Sequence, residues 1–275
     1  MREAEESAII SCTGLLYGRR EGERQLIKIK GLVIAERDAG EAAKSVTLLT
    51  GDMGCIDVFV RGGKKSKKSV SSTQLFSYSV FSLDEKTDPR GNVHYYYNSS
   101  EPVSLFYNIR LDAKRTALAF YFADLLKYAS ESGEGAEEVM RLTLNTLYVM
   151  NRGDRSLEQL KSIFELRLLC ETGYRPALIG CHVCYKHICD EMHFNLRSGL
   201  LSCPEHLDGE DALYDMILDQ VQLYTIRHIA LVEYNKLYSF RLSDKYLEWL
   251  SDFTERFVEY HYGRSFETLK FYKML

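Results

Sequence analysis

The chain has 275 residues, 45% of them apolar and 27% charged, which is ordinary globular usage and excludes collagen, coiled-coil rods and wholesale disorder. The length suits about two domains, with enough chain to bury a core without disulfide staples. With 35 basic and 39 acidic residues the net charge is −4, so a globally basic nucleic-acid binder is excluded and a local basic patch is not.

Residues 1–30 read as a flexible N-terminal extension. Glu, Arg and Gly dominate Arg19 to Arg24, and no partner for a strand is evident there. The short apolar stretch Ile9 to Leu16 follows Glu3, Glu5 and Glu6, where a secretory signal would carry positive charge. No run approaches the ~18 apolar residues of a spanning helix. The expected location is cytoplasmic.

Residues 31–101 have the texture of strands. Gly31 to Glu36, Lys44 to Thr50 and Cys55 to Arg61 are short apolar runs broken by Gly and Asp. Ile56, Val58 and Val60 alternate with Cys55, Asp57 and Phe59, and Phe76, Tyr78 and Val80 alternate with Ser77 and Ser79. Val93 to Tyr97 adds an aromatic, β-favouring run. Five short strands divided by turn residues predict a small antiparallel barrel or sandwich.

A basic cluster interrupts this region. Arg61, Lys64, Lys65, Lys67 and Lys68 fall in a Gly- and Ser-containing stretch, with no acidic residue from Val58 to Leu83. Flexible backbone with closely spaced lysines suits phosphate binding by charge and by N–H groups. A solvated surface loop is the plainer alternative. Loops between strands of an oligonucleotide-binding barrel belong to its binding face, and strand aromatics stack bases. Tyr78, Tyr95, Tyr96 and Tyr97 are the stacking candidates, most of them expected to be ordinary core or edge residues.

From residue 102 the period becomes helical. Leu118, Tyr121, Phe122, Leu125, Leu126 and Ala129 form one apolar stripe, and a second helix covers Ala136 to Met150. A third starts at Ser156, with Gln159 completing a capping box and Leu157, Leu160, Phe164 and Leu168 on one face. Near the end, Tyr246, Trp249, Leu250, Phe253, Phe257 and Tyr260 make another stripe, capped by Ser243 or Asp244. These last helices are expected to pack back onto those before residue 175. The helical domain is set at 102–275.

Four of the seven cysteines fall between 181 and 203, which reads as a metal site in a reducing compartment. Cys181-His-Val-Cys184 is followed, after 18 residues, by Cys203-Pro-Glu-His206. Two ligands three apart on each of two tight turns can complete a tetrahedron, as in a zinc ribbon inserted at about 180–207. Four protein ligands would close the site, making Zn²⁺ structural. His182, His187, Cys189 and His193 lie close enough to replace His206, so the fourth ligand stays open. The matched knuckles argue against a redox pair, and a zinc deaminase would need an H-x-E that is absent. No Walker, dinucleotide-binding, nucleophile-elbow or H-E-x-x-H motif occurs, so no enzymatic activity is expected.

The ordered set of segments resembles the RecO family of bacterial DNA repair proteins. It comprises Gly31-Leu-Val-Ile-Ala-Glu, Val46-Thr-Leu-Leu-Thr50, Val60-Arg-Gly-Gly-Lys-Lys-Ser-Lys-Lys-Ser69 with Gln74-Leu-Phe-Ser-Tyr, Phe164-Glu-Leu-Arg-Leu-Leu-Cys-Glu-Thr-Gly-Tyr-Arg-Pro176, and Phe266-Glu-Thr-Leu-Lys-Phe-Tyr272. The resemblance implies an α+β protein: an N-terminal OB-fold β-barrel, then an α-helical domain with a zinc-ribbon-like module. It implies binding of single- and double-stranded DNA at Arg61, Lys64, Lys65, Lys67 and Lys68. It also implies annealing of complementary strands, and RecA loading together with RecR on DNA coated by single-strand-binding protein, near the nucleoid. An apolar groove on the helical domain would seat that protein's acidic-hydrophobic tail. The family's zinc motif carries four cysteines, and His206 stands at the fourth position here. The competing expectation is a zinc-ribbon adaptor that binds only proteins.

Overall fold

A computed structural model of the protein describes residues 25–40, 43–61, 71–129, 136–207 and 215–275. The chain divides into two compact units, one holding the β-strands up to residue 105 together with Leu126–Met140, the other made of Phe106–Leu125 and Arg141–Leu275. Among the described residues no helix is long and apolar enough to cross a membrane.

Five strands close a barrel in the order β1-β2-β3-β5-β4: β1 Gln25–Asp38, β2 Ala43–Thr50, β3 Gly54–Arg61, β4 Tyr78–Thr87 and β5 Val93–Ser104. Every pairing is antiparallel except β3 with β5, where Val58 lies beside Tyr95 and Phe59 beside Tyr96. A five-stranded barrel closed this way is of the oligonucleotide-binding type. In β3 the period of two is plain, with Ile56, Val58 and Val60 buried while Asp57 and Arg61 are exposed. They join Ile29, Val33, Val46, Leu48, Phe81 and Leu83 in the barrel core.

β1 is long because it serves both halves of the barrel, pairing with β4 from Gln25 to Leu32 and with β2 from Gly31 to Asp38. Gly31 belongs to both pairings, and a Cβ there would stand 3.3 Å from the Leu48 side chain. The pairing with β2 shifts register between Val33 and Ala35, a bulge-like irregularity. This corrects the boundary at residue 31. Residues 25–30, assigned from sequence to the extension, lie in β1, where Ile27 and Ile29 pack inward and Lys28 and Lys30 are exposed. Gly31 is the close-packed middle of this strand. Residues 1–24 lie outside the described residues.

The second unit contains α1 Tyr107–Arg110, α2 Ala113–Ala129, α3 Ala136–Arg152, α4 Leu157–Glu171, α5 Gln220–Leu231, α6 Asp244–Tyr262 and α7 Glu267–Lys273, with α2 and α3 extending into the first. α4 is its centre. Every residue from Gln159 to Cys170 is buried, so the helix has no solvent face and the single stripe read from sequence understates it. Phe122 of α2 stacks on Phe164 of α4 with ring centroids 4.1 Å apart.

Burying α4 on all sides also buries its charges. Glu165 accepts from Tyr121 Oη at 2.7 Å, Lys161 Nζ at 3.0 Å and Thr254 Oγ1 at 2.6 Å, and Lys161 also reaches Glu255 at 2.9 Å. Thr254 and Glu255 belong to α6, so the helices after the Cys/His insertion do pack back onto the earlier ones. Ser156 caps α4 through Gln159 N–H at 3.2 Å, but the Gln159 side chain donates to the Phe240 carbonyl instead of returning to the cap. The reciprocal capping box is found at Asp219 and Gln222, opening α5.

Between α4 and α5 in the chain comes a three-stranded antiparallel sheet, order β7-β6-β8, from β6 Met192–Asn195, β7 Leu201–Ser202 and β8 Asp215–Leu218. Phe194 of β6 anchors it, with ring centroids 5.3 Å from Phe253 and 5.8 Å from Phe257 of α6.

Candidate metal centre and nucleic-acid interface

Two backbone turns bring Cys181, Cys184, Cys203 and His206 together, their ligand atoms all within 4.8 Å of one another. In the first turn Cys181 N–H donates to the Lys186 carbonyl at 3.0 Å, and Tyr185 N–H donates to the Cys181 carbonyl at 2.9 Å. Gly180 is required beneath it, because a Cβ there would meet the Tyr185 carbonyl oxygen at 2.9 Å. Tyr185 itself takes a left-handed φ of 60°. In the second turn Pro204–His206 forms one 3₁₀ turn directly after Cys203. His182 N–H donates to the Leu201 carbonyl at 2.8 Å and ties the two turns together.

The spacing suits a tetrahedral ion. Zn–S and Zn–N bonds of about 2.3 and 2.0–2.1 Å place ligand sulfurs about 3.8 Å apart and sulfur and nitrogen about 3.6 Å apart. Here Cys184 Sγ to Cys203 Sγ is 3.8 Å, Cys181 Sγ to His206 Nδ1 is 3.9 Å and Cys203 Sγ to His206 Nδ1 is 3.1 Å. Burial pushes the Cys181 thiol up, but N–H groups of Cys184, Cys203 and Val183 outweigh it and bring it down to about 6. Burial pushes the Cys203 thiol up.

The alternative fourth ligands are turned elsewhere. Cys189 Sγ lies 2.8 Å from the Glu191 carbonyl and 2.9 Å from Met192 Sδ. His182 Nδ1 faces the Leu201 carbonyl and Ser202 Oγ, each at 3.2 Å. His193 sits within β6, and His187 is outside the cluster.

The first turn is fastened to α5 by Arg227. Its Nε donates to the Leu178 carbonyl at 2.6 Å, and Nη2 to the carbonyls of Ile179 and His187 at 3.0 and 2.8 Å. A planar fork of donors spans both ends of the turn. No periodicity or motif in the sequence marks Arg227 for this role.

On the barrel, β3 and β5 expose aromatic and basic groups along their parallel seam. Phe59 and Tyr96 meet edge to face with centroids 6.0 Å apart. Arg61 lies over both rings, and Lys86 of β4 over Tyr96. Three of the four stacking candidates are core residues, as expected of most of them. Tyr78 is buried, and Tyr95 and Tyr97 pack against the barrel core because alternation turns them inward. Tyr96 has the outward parity. Phe59, missed in the sequence, shares that parity on β3, which its alternation with Val58 and Val60 would have revealed.

Two family models match the chain. Recombination protein O N terminal covers residues 25–106, and Recombination protein O C terminal covers residues 110–270. The chain belongs to the RecO family. It is 29% identical over 251 residues to the DNA repair protein RecO of Acetivibrio thermocellus, spanning 90% of this chain and 97% of the relative. It is 31% identical over 179 residues to that of Alkaliphilus metalliredigens, spanning 65% of this chain and 71% of the relative. The RecO N-terminal match begins at Gln25, the first residue of β1. Of the basic residues implied by the RecO resemblance, Arg61 is exposed at the end of β3. Lys64, Lys65, Lys67 and Lys68 lie outside the described residues.

Proposed function

We propose that this RecO-family protein is a non-enzymatic DNA-binding recombination mediator. It binds single- and double-stranded DNA, anneals complementary strands, and assists RecA loading with RecR on DNA coated by single-strand-binding protein. The reading implies a cytoplasmic, nucleoid-associated protein. The observation that carries it is the barrel of oligonucleotide-binding type whose third strand ends at exposed Arg61, where the segment with Lys64, Lys65, Lys67 and Lys68 begins. A cation at the end of a barrel strand, as Arg61 is, can neutralise a phosphate.

Zn²⁺ held by Cys181, Cys184, Cys203 and His206 is structural in this reading. Three thiolates and an imidazole fill a tetrahedral shell and leave no open position for substrate. Its role is to fix the two turns against β7 and α5.

A groove of about 680 Å³ runs along α5, lined by Val221, Tyr224, Leu231, Phe240, Arg241 and Leu242 among others. Arg227, His228 and Arg241 line it, and no carboxylate does among the described residues. An apolar floor with cationic walls matches the acidic-hydrophobic tail of single-strand-binding protein, which we propose as its occupant.

The test of the function is strand annealing. Two complementary oligonucleotides carrying a donor and an acceptor dye should anneal faster with the protein than without it. No acceleration, together with no gel shift of either strand, would leave the protein-only adaptor as the better reading.

A further inference from the structure

The seam between β3 and β5 carries two aromatic rings that phosphate binding does not use. Phe59 and Tyr96 are register partners across the parallel pairing. They present their rings on the outer wall, both partly exposed, with an interplanar angle of 76°. Arg61 Cζ lies 5.9 Å from the Phe59 centroid and 5.5 Å from that of Tyr96, and Lys86 Nζ lies 4.9 Å from Tyr96. Among the described residues neither cation has a carboxylate partner; the nearby Asp57 carboxylate is engaged by Thr47 Oγ1 at 2.6 Å. Two aromatic rings, covered by two cations without carboxylate partners among the described residues, supply the two halves of a nucleotide's requirements once the flexible cations swing from the ring faces to phosphates. The rings take a base by stacking, and the cations take the adjoining phosphates.

A duplex cannot use the rings. Its bases are stacked on one another and paired, and reaching a ring would mean flipping one out at a cost of a few kcal/mol. A duplex therefore gains only the phosphate contacts, whereas a single strand gains those and the stacking. We propose that Phe59 and Tyr96 form a subsite for one unpaired base, flanked by Arg61 and Lys86 on its phosphates, and that this subsite sets a preference for single-stranded over duplex DNA. The proposal rests on the DNA-binding reading above.

The test compares the affinity of the full-length protein for labelled oligo(dT) and for a blunt duplex by fluorescence anisotropy. For the Phe59→Ala/Tyr96→Ala variant, binding to oligo(dT) should weaken by about tenfold or more, the scale of one lost stacking contact. Duplex binding should stay within about twofold, since phosphate contacts persist. Tyr96→Phe should retain single-strand affinity, because the ring and not the hydroxyl does the stacking. Equal loss on both DNAs, or loss on neither, would overturn the subsite. A parent protein that binds neither DNA would overturn the functional reading itself. If the double variant melts early, Tyr96→Trp decides instead: oligo(dT) should quench its added fluorescence and duplex should not, and no quenching by oligo(dT) overturns the subsite.

Discussion

The Nε of Arg227 on α5 donates to the carbonyl oxygen of Leu178 at 2.6 Å, just before the first cysteine turn. Through this bond and its two companions to Ile179 and His187, one helix side chain holds both ends of the turn that presents Cys181 and Cys184. Arg227→Ala should cost about 2–4 kcal/mol, since hydrogen bonds from a charged donor each contribute about 1.5–3 kcal/mol and do not add fully. Arg227→Lys should recover only part, because a compact ammonium cannot span three carbonyls. Urea titration measures the loss, and release of metal to a chromogenic chelator should speed up in parallel.

The metal has its own test. Protein purified without chelators should contain about one Zn²⁺ per chain by elemental analysis. Cys203→Ala should lose that metal and lower the melting temperature, because a closed site contributes folding energy directly. Cys189→Ala should keep full metal content, since its sulfur is turned to Glu191 and Met192.

The buried charges of α4 predict a particular pH dependence. Burial raises the Glu255 carboxyl, but Lys161 and Lys273 outweigh it and hold it below its usual 4.5. Burial lowers Lys161, but Glu165 and Glu255 outweigh it and hold it above 10.5. The Glu255 contribution is therefore complete above pH 4.5 and is lost as pH falls through its lower folded value, while that of Lys161 is complete below pH 10.5 and is lost as pH rises through its higher one. Glu255→Gln should be less stable than the parent at neutral pH, and the difference should shrink below pH 4.5. Lys161→Met should cost about 3–5 kcal/mol by leaving Glu165 buried and uncompensated. Denaturant melts across the pH range measure both.

Legibility in the sequence followed the range of the interaction. Alternation along β3 and the paired Cys/His spacings are local, so barrel strands and a four-ligand cluster could be read directly. Residues 25–30 look like an extension in sequence because their strand partner, Val80–Glu85 of β4, lies 50 or more positions away. α4 was read as one-sided because Lys161, Glu165 and Arg167 look like a solvated face. Tyr121, Glu255 and the carbonyls at the end of α5 satisfy these charges and lie far away in sequence. Arg227 is the extreme case, an unremarkable helix residue whose three acceptors lie 40 or more positions earlier.

The α5 groove predicts a charge-dependent peptide interaction. A fluorescent peptide matching the acidic-hydrophobic tail of single-strand-binding protein should bind with an affinity that falls as salt rises. Leu231→Asp places a like charge in the groove at a side chain already 49% exposed, so it should weaken binding by about tenfold with little loss of stability. Unchanged binding would remove this groove as the peptide site.

The central claim is that the barrel binds DNA through Arg61 and the lysines that follow it. Its most direct measurement is the slope of log K against log salt for a labelled oligonucleotide, in the parent and in a variant with Lys64, Lys65, Lys67 and Lys68 all changed to Ala. Each phosphate contact contributes about −0.7 to that slope on single strands and about −0.9 on duplex. The account predicts weaker binding at low salt for every sequence alike, with a slope flatter by about two to three units. Parallel lines for parent and variant would contradict it and leave the protein-only adaptor as the account of this molecule.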